Sequence, residues 1–271
     1  MPNIELKGIE TSNSFVSSTT NNIEIKSKIL IAADGKNSFV RKIVKTPIFK
    51  KQYNHKAVVI NLNHNSDHNN IAYEIFFKGG PLAILPMKNK IKNKFSSSIV
   101  WSNDASFLSN MMKLKDEKLK PLLDERLARH IGNIENINNK KIFDLSAHLC
   151  TSFYENRIVY VGDAAHSIHP IAGQGWNLGI RDIENLIFSI NEGKELGLDY
   201  GDKHICKKYH DLSYHDAFAL YQVTDKLNYV FLKEGLIYNN IRHLGFYFID
   251  NNRKIKNWIS NFAMGKRKKF N

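Results

Sequence analysis

The chain is short of the residues that mark cross-linked or rigid folds. Its 271 residues include only 2 cysteines, Cys150 and Cys206, and 6 prolines. Two thiols do not make a disulfide framework, which excludes a small cross-linked secreted domain and makes a reducing cytoplasm the expected compartment. No apolar run reaches the roughly 18 residues of a membrane-spanning helix. Residues 1–10 have neither a basic start nor an apolar stretch, so no signal peptide is read there. Acidic side chains are also scarce, 26 against 39 Lys plus Arg, for a formal net charge of +13. The surplus is mostly lysine, scattered and without an arginine–aromatic pattern. Together with abundant Asn and Ile it reads as coding bias, and nucleic acid is not an expected partner.

What remains is a globular composition, 42% hydrophobic and 24% charged, on a chain long enough to bury a sizeable core. The informative segment runs from Arg157 to Asp182. Ile158 to Val161 is a short apolar run suited to a strand buried on both faces. Gly162 and Asp163 follow at its carboxyl end, where open α/β sheets place ligands. Asp163 is an acceptor for a hydroxyl-rich chain such as ribityl or ribose. Pro170 stiffens the loop, and Gly173 and Gly175 let a ligand approach the backbone. A helix is then expected, with Ile183, Leu186, Ile187 and Ile190 on its apolar face and Gly193 at its end. Its free N–H groups suit a pyrophosphate or an anionic ring edge. A second apolar run, Lys28 to Ala33, ends in Asp34 and Gly35, with Ser38 and Arg41 close behind. Arg41 is expected to hold a phosphate or carboxylate in a fork.

Asp34-Gly35-x-x-Ser38-x-Val40-Arg41 resembles the Asp-Gly motif of class A flavoprotein monooxygenases, the para-hydroxybenzoate hydroxylase fold. Gly162-Asp163-Ala-Ala-His166-x-x-x-Pro170-x-x-Gly173-Gln174-Gly175-x-Asn177 resembles their Gly-Asp motif. Gly80 to Pro86, Ile99 to Ser102, Thr224 to Phe231, Arg242 to Gly245 and Ala263 to Gly265 resemble segments of the ubiquinone-biosynthesis hydroxylases of the UbiH/UbiF type. The resemblance implies FAD as cofactor, NAD(P)H as reductant, dioxygen as co-substrate and a polyprenyl phenol as the ring to be hydroxylated. By position it implies that Asp163 binds the ribityl chain and that Gly173, Gln174, Gly175, Trp176 and Asn177 face the flavin's pyrimidine edge. Gly162 and Pro170 shape that loop, Asp34 and Gly35 lie near the pyrophosphate and the nicotinamide approach, and Arg41 belongs to the same turn. Trp176 stands where a smaller or unbranched apolar residue is expected. Other proteins of ubiquinone biosynthesis are the implied partners, and the implied location is cytoplasmic or peripheral at the inner face of the membrane.

The family opens with a strand, Gly-x-Gly-x-x-Gly and a helix for the ADP portion of FAD. No such string occurs here. The expectation is an N-terminally truncated form lacking on the order of 100 residues, with weak FAD affinity of its own. Two alternatives stand beside this reading. One is another class A aromatic hydroxylase or a polyprenyl reductase. The other is a non-enzymatic basic fragment that binds membrane surfaces.

The expected architecture is mixed α/β. Residues 1–46 form a remnant of a Rossmann-like FAD-binding domain, and 47–155 an inserted, largely antiparallel substrate sheet. Residues 156–200 return to the FAD domain, and 201–271 form a helical tail. Strands are expected at Ala57 to Leu62, Ile71 to Phe77, Pro81 to Met87, Ser98 to Trp101 and Phe143 to Leu149, with a helix over Lys118 to Ile131. Tyr73, Ile75, Phe77, Leu82 and Ile84 are a candidate substrate wall, with ordinary core packing the favoured reading of each. Ile255, Trp258, Ile259 and Phe262 share a helix face flanked by Arg253, Lys254 and Lys256, which reads either as a core-packed terminal helix or as a membrane-surface element. No catalytic acid, base or nucleophile is assigned. His166 and His169 are read as loop hydrogen-bonders. His64, Asp67 and His68 are read as a hydrated loop, with no metal assigned.

Overall fold

A computed structural model describes residues 4–88 and 95–263. The expected tail motif at Ala263 to Gly265 and the basic stretch after it fall largely outside the described residues, as does most of the polar loop at 88–94. In chain order the elements are β1 (Leu6–Thr11), β2 (Val16–Thr20), β3 (Glu24–Ser27), β4 (Leu30–Ala32), α1 (Phe39–Val44), β5 (Ile48–His64), β6 (Tyr73–Phe77), β7 (Gly80–Met87), β8 (Phe95–Asp104), α2 (Ala105–Met112), α3 (Asp116–Ile131), β9 (Ile134–Cys150), β10 (Tyr154–Glu155), β11 (Ile158–Tyr160), β12 (His166–Ser167), α4 (Gln174–Glu195), α5 (Lys203–Leu232), α6 (Leu236–Asn251) and α7 (Arg253–Ala263). The mixed α/β expectation holds. The chain divides into two units, residues 1–51, 146–226 and 244–271 in one and 52–145 with 227–243 in the other.

In the first unit β11 pairs in parallel with β4, Ile158 opposite Leu30 and Tyr160 opposite Ala32. β10 flanks β11 on its other side. Ile158, Val159 and Tyr160 are buried, as a strand covered on both faces requires. Their core includes Phe153, Leu178, Tyr209 and Leu220. Two buried hydroxyls are satisfied inside it. Tyr209 donates to the Tyr160 carbonyl at 2.6 Å, and the Tyr160 hydroxyl lies 2.6 Å from Thr46 Oγ1. A separate antiparallel sheet, β1-β2-β3, accompanies this core.

The second unit is built on β5, β8, β7 and β6, hydrogen-bonded in that order, with β9 on the far side of β5. β5–β8, β8–β7 and β7–β6 are antiparallel. Alternate residues of these strands, Val58, Ile60, Leu62, Leu82, Ile84, Ile99 and Trp101, face α3. Helix α3 answers with Leu119, Leu123, Leu127 and Ile131 at i, i+4 spacing, all fully buried. Each such leucine contributes about 2 kcal/mol by leaving water. The helix stops at Gly132, whose φ of 69° and crowding by Asn65 and Ser66 leave no room for a side chain. Leu82 and Ile84 are therefore core beneath α3, and Tyr73, Ile75 and Phe77 pack against it partly buried, in line with the favoured core-packing reading.

Three expectations change. Gly193 does not end α4, which runs on to Glu195. A Cβ at Gly193 would come 2.3 Å from Ile205 Cγ1 and Cδ1, so the glycine marks close helix packing; Gly197, at φ 73°, takes the left-handed position after the helix. The buried side of α4 is Leu178, Asp182, Leu186, Ser189 and Gly193, whereas Ile183 and Ile187 are about half exposed. Small and polar residues were chosen for that buried side by close contact with the Gly162 turn and α5, which periodicity alone does not reveal. Finally, the α7 face is not packed as core: Trp258 is 67% and Ile259 39% exposed. Among the described residues no helix is long and apolar enough to cross a membrane.

Candidate functional site

The two acidic-glycine corners leave the carboxyl ends of adjacent parallel strands, β4 and β11, two residues past the paired Ala32 and Tyr160. At the first corner the Asp34 carboxylate accepts the Phe39 and Val40 amides at 2.7 and 3.1 Å. Ser38 caps the same helix by accepting the Arg41 amide at 3.0 Å. Gly35 takes φ 78°, which lets the chain turn into α1.

The Gly-Asp corner is a single 3₁₀ turn over Gly162–Ala164, with Gly162 at φ 58°. Glycine is needed there twice over, for that conformation and because Gly179 of α4 approaches it. A Cβ built on Gly179 would lie 3.6 Å from the Gly162 Cα. The turn leaves the Asp163 side chain exposed. Behind it, Asp182 of α4 is 1% exposed and accepts the Gly162 amide at 2.9 Å and His166 Nε2–H at 2.6 Å through one oxygen, Oδ2. His169 is buried too, and its Nδ1 accepts the Ile171 amide at 3.2 Å. Both histidines hold the loop in shape.

After exposed Pro170 the chain reaches Gly173, the N-cap of α4, at φ 60° with no side-chain capping bond. The N-cap residue therefore brings no side chain over the first turn of α4. Open space lies where a Cβ would stand on both Gly173 and Gly175. Trp176 projects into solvent at 78% exposure, Asn177 is exposed, and Gln174 is half-buried. An exposed carboxylate, two glycines open at the Cβ position and a helix start with a glycine N-cap lie along one short stretch, 163–177. That donor and acceptor set fits a polyhydroxyl chain joined to a ring edge that gains negative charge on reduction.

Arg41 differs from its expected fork on a phosphate. Its guanidinium is buried and taken up by protein acceptors: the Ala164 carbonyl at 2.7 Å, the Lys36 carbonyl at 2.6 Å and His148 Nε2 at 3.1 Å. It thus ties the first corner to the second. A guanidinium only donates, so Nε2 of His148 is the acceptor and the ring proton sits on Nδ1, which bonds the Asp163 backbone. Burial first, and the Arg41 charge second, hold His148 neutral, its pKa pushed down to about 3. Asp182 and His148 carry no role in the sequence reading. Asp182 was legible as a polar residue on the buried i, i+4 row with Leu178 and Leu186; His148, in a strand, carries no comparable signal.

Outside this site His64 bonds the Ser66 carbonyl at 2.9 Å and Ser97 Oγ at 3.0 Å. Among the described residues no three His, Cys, Asp or Glu side chains converge as a metal site.

The FAD binding domain family matches residues 7–194. The chain belongs to that family. It is 29% identical over 241 residues to the ubiquinone hydroxylase UbiL of Rhodospirillum rubrum, covering 89% of this chain and 55% of that protein. It is 26% identical over 289 residues to the mitochondrial ubiquinone biosynthesis monooxygenase COQ6 of Dictyostelium discoideum, covering 91% and 57%. The chain spans little more than half the length of these relatives. Among solved structures, p-nitrophenol 4-monooxygenase PnpA of Pseudomonas putida superposes with a TM-score of 0.74 at 15% identity, covering 98% of this chain and 68% of that one. That likeness speaks for the fold.

Proposed function

We propose that this chain carries the flavin-binding Gly-Asp half and the substrate sheet of an FAD-dependent monooxygenase that hydroxylates the aromatic ring of a polyprenyl phenol in ubiquinone biosynthesis. NAD(P)H is the reductant and dioxygen the co-substrate. The observation that carries the reading is the convergence of Asp34-Gly35 and Gly162-Asp163 at neighbouring strand ends, joined through Arg41. The similarity to ubiquinone hydroxylases over most of the chain supports the choice of substrate class.

In this proposal Asp163 accepts the ribityl hydroxyls, and the backbone of Gly173, Gln174, Gly175, Trp176 and Asn177 donates to the pyrimidine edge. Gly162 and Pro170 set the path of that loop, and Asp34 and Gly35 border it. The flavin supplies redox chemistry and oxygen activation when bound. The protein's part is placement: Asp182 holds the turn beneath Asp163, and Arg41 with neutral His148 keeps the two corners in register. Placement of this kind matters more to the chemistry than a side-chain nucleophile.

Peripheral membrane association belongs to the same proposal. Trp258 and Ile259 of α7 are exposed beside Arg253, Lys254 and Lys256, and no residue of α6 is buried. An amphipathic, basic element of this sort suits an anionic bilayer surface, where a polyprenyl chain resides.

Two measurements test the reading. Titration of the chain with FAD, followed by flavin fluorescence, is expected to saturate above the submicromolar range and to weaken in Asp163→Ala. An unsaturable signal, or one indifferent to that change, rejects the flavin site. Expression in cells lacking a ubiquinone ring hydroxylase, with quinone products read by mass spectrometry, tests the substrate. Hydroxylation of an unprenylated phenol in place of the prenylated one rejects it.

A further inference from the structure

Trp176 is 78% exposed, against 2% for Trp101 and 67% for Trp258. It is the third residue of α4, which begins at Gln174. Side chains on a helix lean toward its N-terminus. An indole at this position therefore overhangs the first turn and the Gly173 loop, not the helix behind it. Beneath that overhang two positions carry no side chain. A Cβ on Gly173 or on Gly175 would meet nothing within 4 Å. The largest side chain of the 163–177 stretch thus stands over its most open backbone.

The ordinary account makes Trp176 the head of an apolar row, because Ile180, Ile183 and Ile187 follow it at helical spacing and are 42%, 49% and 54% exposed. Two observations set it apart. Its exposure is well above theirs. The row runs along the flank of α4, whereas the lean of a first-turn side chain carries the indole off that row and toward the loop. A lone exposed apolar residue needs no explanation. One that overhangs a gap free of Cβ atoms has the shape to receive a flat ring, and aromatic faces stack on such rings.

We propose that the indole of Trp176 folds over the first turn of α4 and stacks on the pyrimidine end of the flavin ring, closing that end to bulk water. The inference rests on the flavin reading and deepens it, since that reading uses only the backbone of Trp176. The stack holds the ring more tightly. The face of an indole also carries negative potential, so it favours the ring before it gains negative charge and lowers its midpoint potential.

The test is titration of the 271-residue chain with FAD, with affinity read by calorimetry and the emission of bound flavin read at saturation. Contact with an indole quenches flavin emission. FAD bound to the wild type is therefore expected to be dark, and FAD bound to Trp176→Leu severalfold brighter. Trp176→Leu should also bind about two- to tenfold more weakly, the scale of one aromatic pair. Trp176→Phe, which keeps a ring, should stay near the wild type in affinity. Trp258→Phe, at the other exposed tryptophan, should match the wild type in both readings. Because Trp176 is exposed, its variants should melt with the wild type. Equal emission and affinity in the wild type and Trp176→Leu, or an equal change in Trp258→Phe, overturns the stack and leaves the flavin site standing. Failure of the wild type and every variant to saturate rejects the flavin reading itself, and the stack with it.

Discussion

The carboxylate of Asp182 accepts the amide of Gly162 at 2.9 Å, so helix α4 reaches back to hold the turn that presents Asp163. The same oxygen takes the His166 proton at 2.6 Å. His166 is buried and Gly162 partly so, and loss of a charged acceptor leaves both donors unmet. Asp182→Ala is expected to lower stability by about 2–4 kcal/mol in urea denaturation. Asp182→Asn, which retains one acceptor, should lose less. Equal melts for wild type and Asp182→Ala would show that the turn stands without its brace.

Asp163 and Gly175 provide the contrasting case, because neither is needed for the fold. Asp163 is exposed, and a Cβ on Gly175 would meet nothing within 4 Å. Asp163→Ala should leave urea stability within about 0.5 kcal/mol of wild type. Gly175→Ala, at a helical position, should raise it by up to about 1 kcal/mol. Both should weaken FAD binding in fluorescence titration, Asp163→Ala through a lost acceptor and Gly175→Ala through a methyl group in the ligand's path. A variant that lost stability and kept flavin affinity would reverse the assignment.

Gly193→Ala tests the packing of α4 on α5. Helix propensity favours alanine by about 1 kcal/mol, but its methyl would overlap Ile205, itself fully buried. Overpacking is expected to win, with a net loss of about 1–2 kcal/mol. A stabilised Gly193→Ala protein would mean that Ile205 has room to move.

His148 makes part of the stability depend on pH. Its folded pKa, about 3, lies below the ordinary 6.5, so the native state resists protonation that the unfolded chain accepts. That stability is present above pH 6.5 and is lost as the pH falls toward 3. Between pH 7 and pH 5 the loss amounts to about 2 kcal/mol for this one group. His55, His64 and His210, also lowered by burial, act in the same direction. Urea denaturation of wild type and His148→Gln at pH 7 and pH 5 should show the smaller decline in the variant. Parallel declines would free His148 of this role.

Both thiols are expected to stay silent in the folded chain. Burial pushes Cys150 and Cys206 up to about 11, and both are fully covered. Ellman's reagent at pH 8 should label neither until denaturant unfolds the protein; rapid labelling of the native chain would contradict the packing around Phe153 and Tyr209.

Much of the site was written locally. The β-branched run before Gly162, the Asp34-Gly35 turn and the glycines before α4 are short-range instructions about strand, turn and helix start. They were enough to indicate a sheet-edge site, and the motifs they form were enough to indicate the family. Local pattern misled where a residue serves a distant neighbour. Gly193 reads as a stop because glycine often ends helices, whereas here it makes room for Ile205. Ile183 and Ile187 read as core by period, whereas α4 turns its small and polar side inward against the Gly162 turn.

The sequence by itself determined the two acidic-glycine corners, the covered strand between them and the helix that follows, because hydrophobic period and turn chemistry act over a few residues. Only the tertiary structure decided what Arg41 does, since its partners His148 and Ala164 stand 107 and 123 residues away in the chain. It also decided that Lys36, Lys42, Lys45 and Lys50 share one cavity with that buried charge. Long-range electrostatic company of this kind is set by which strands and loops the topology brings side by side, and no local pattern records it.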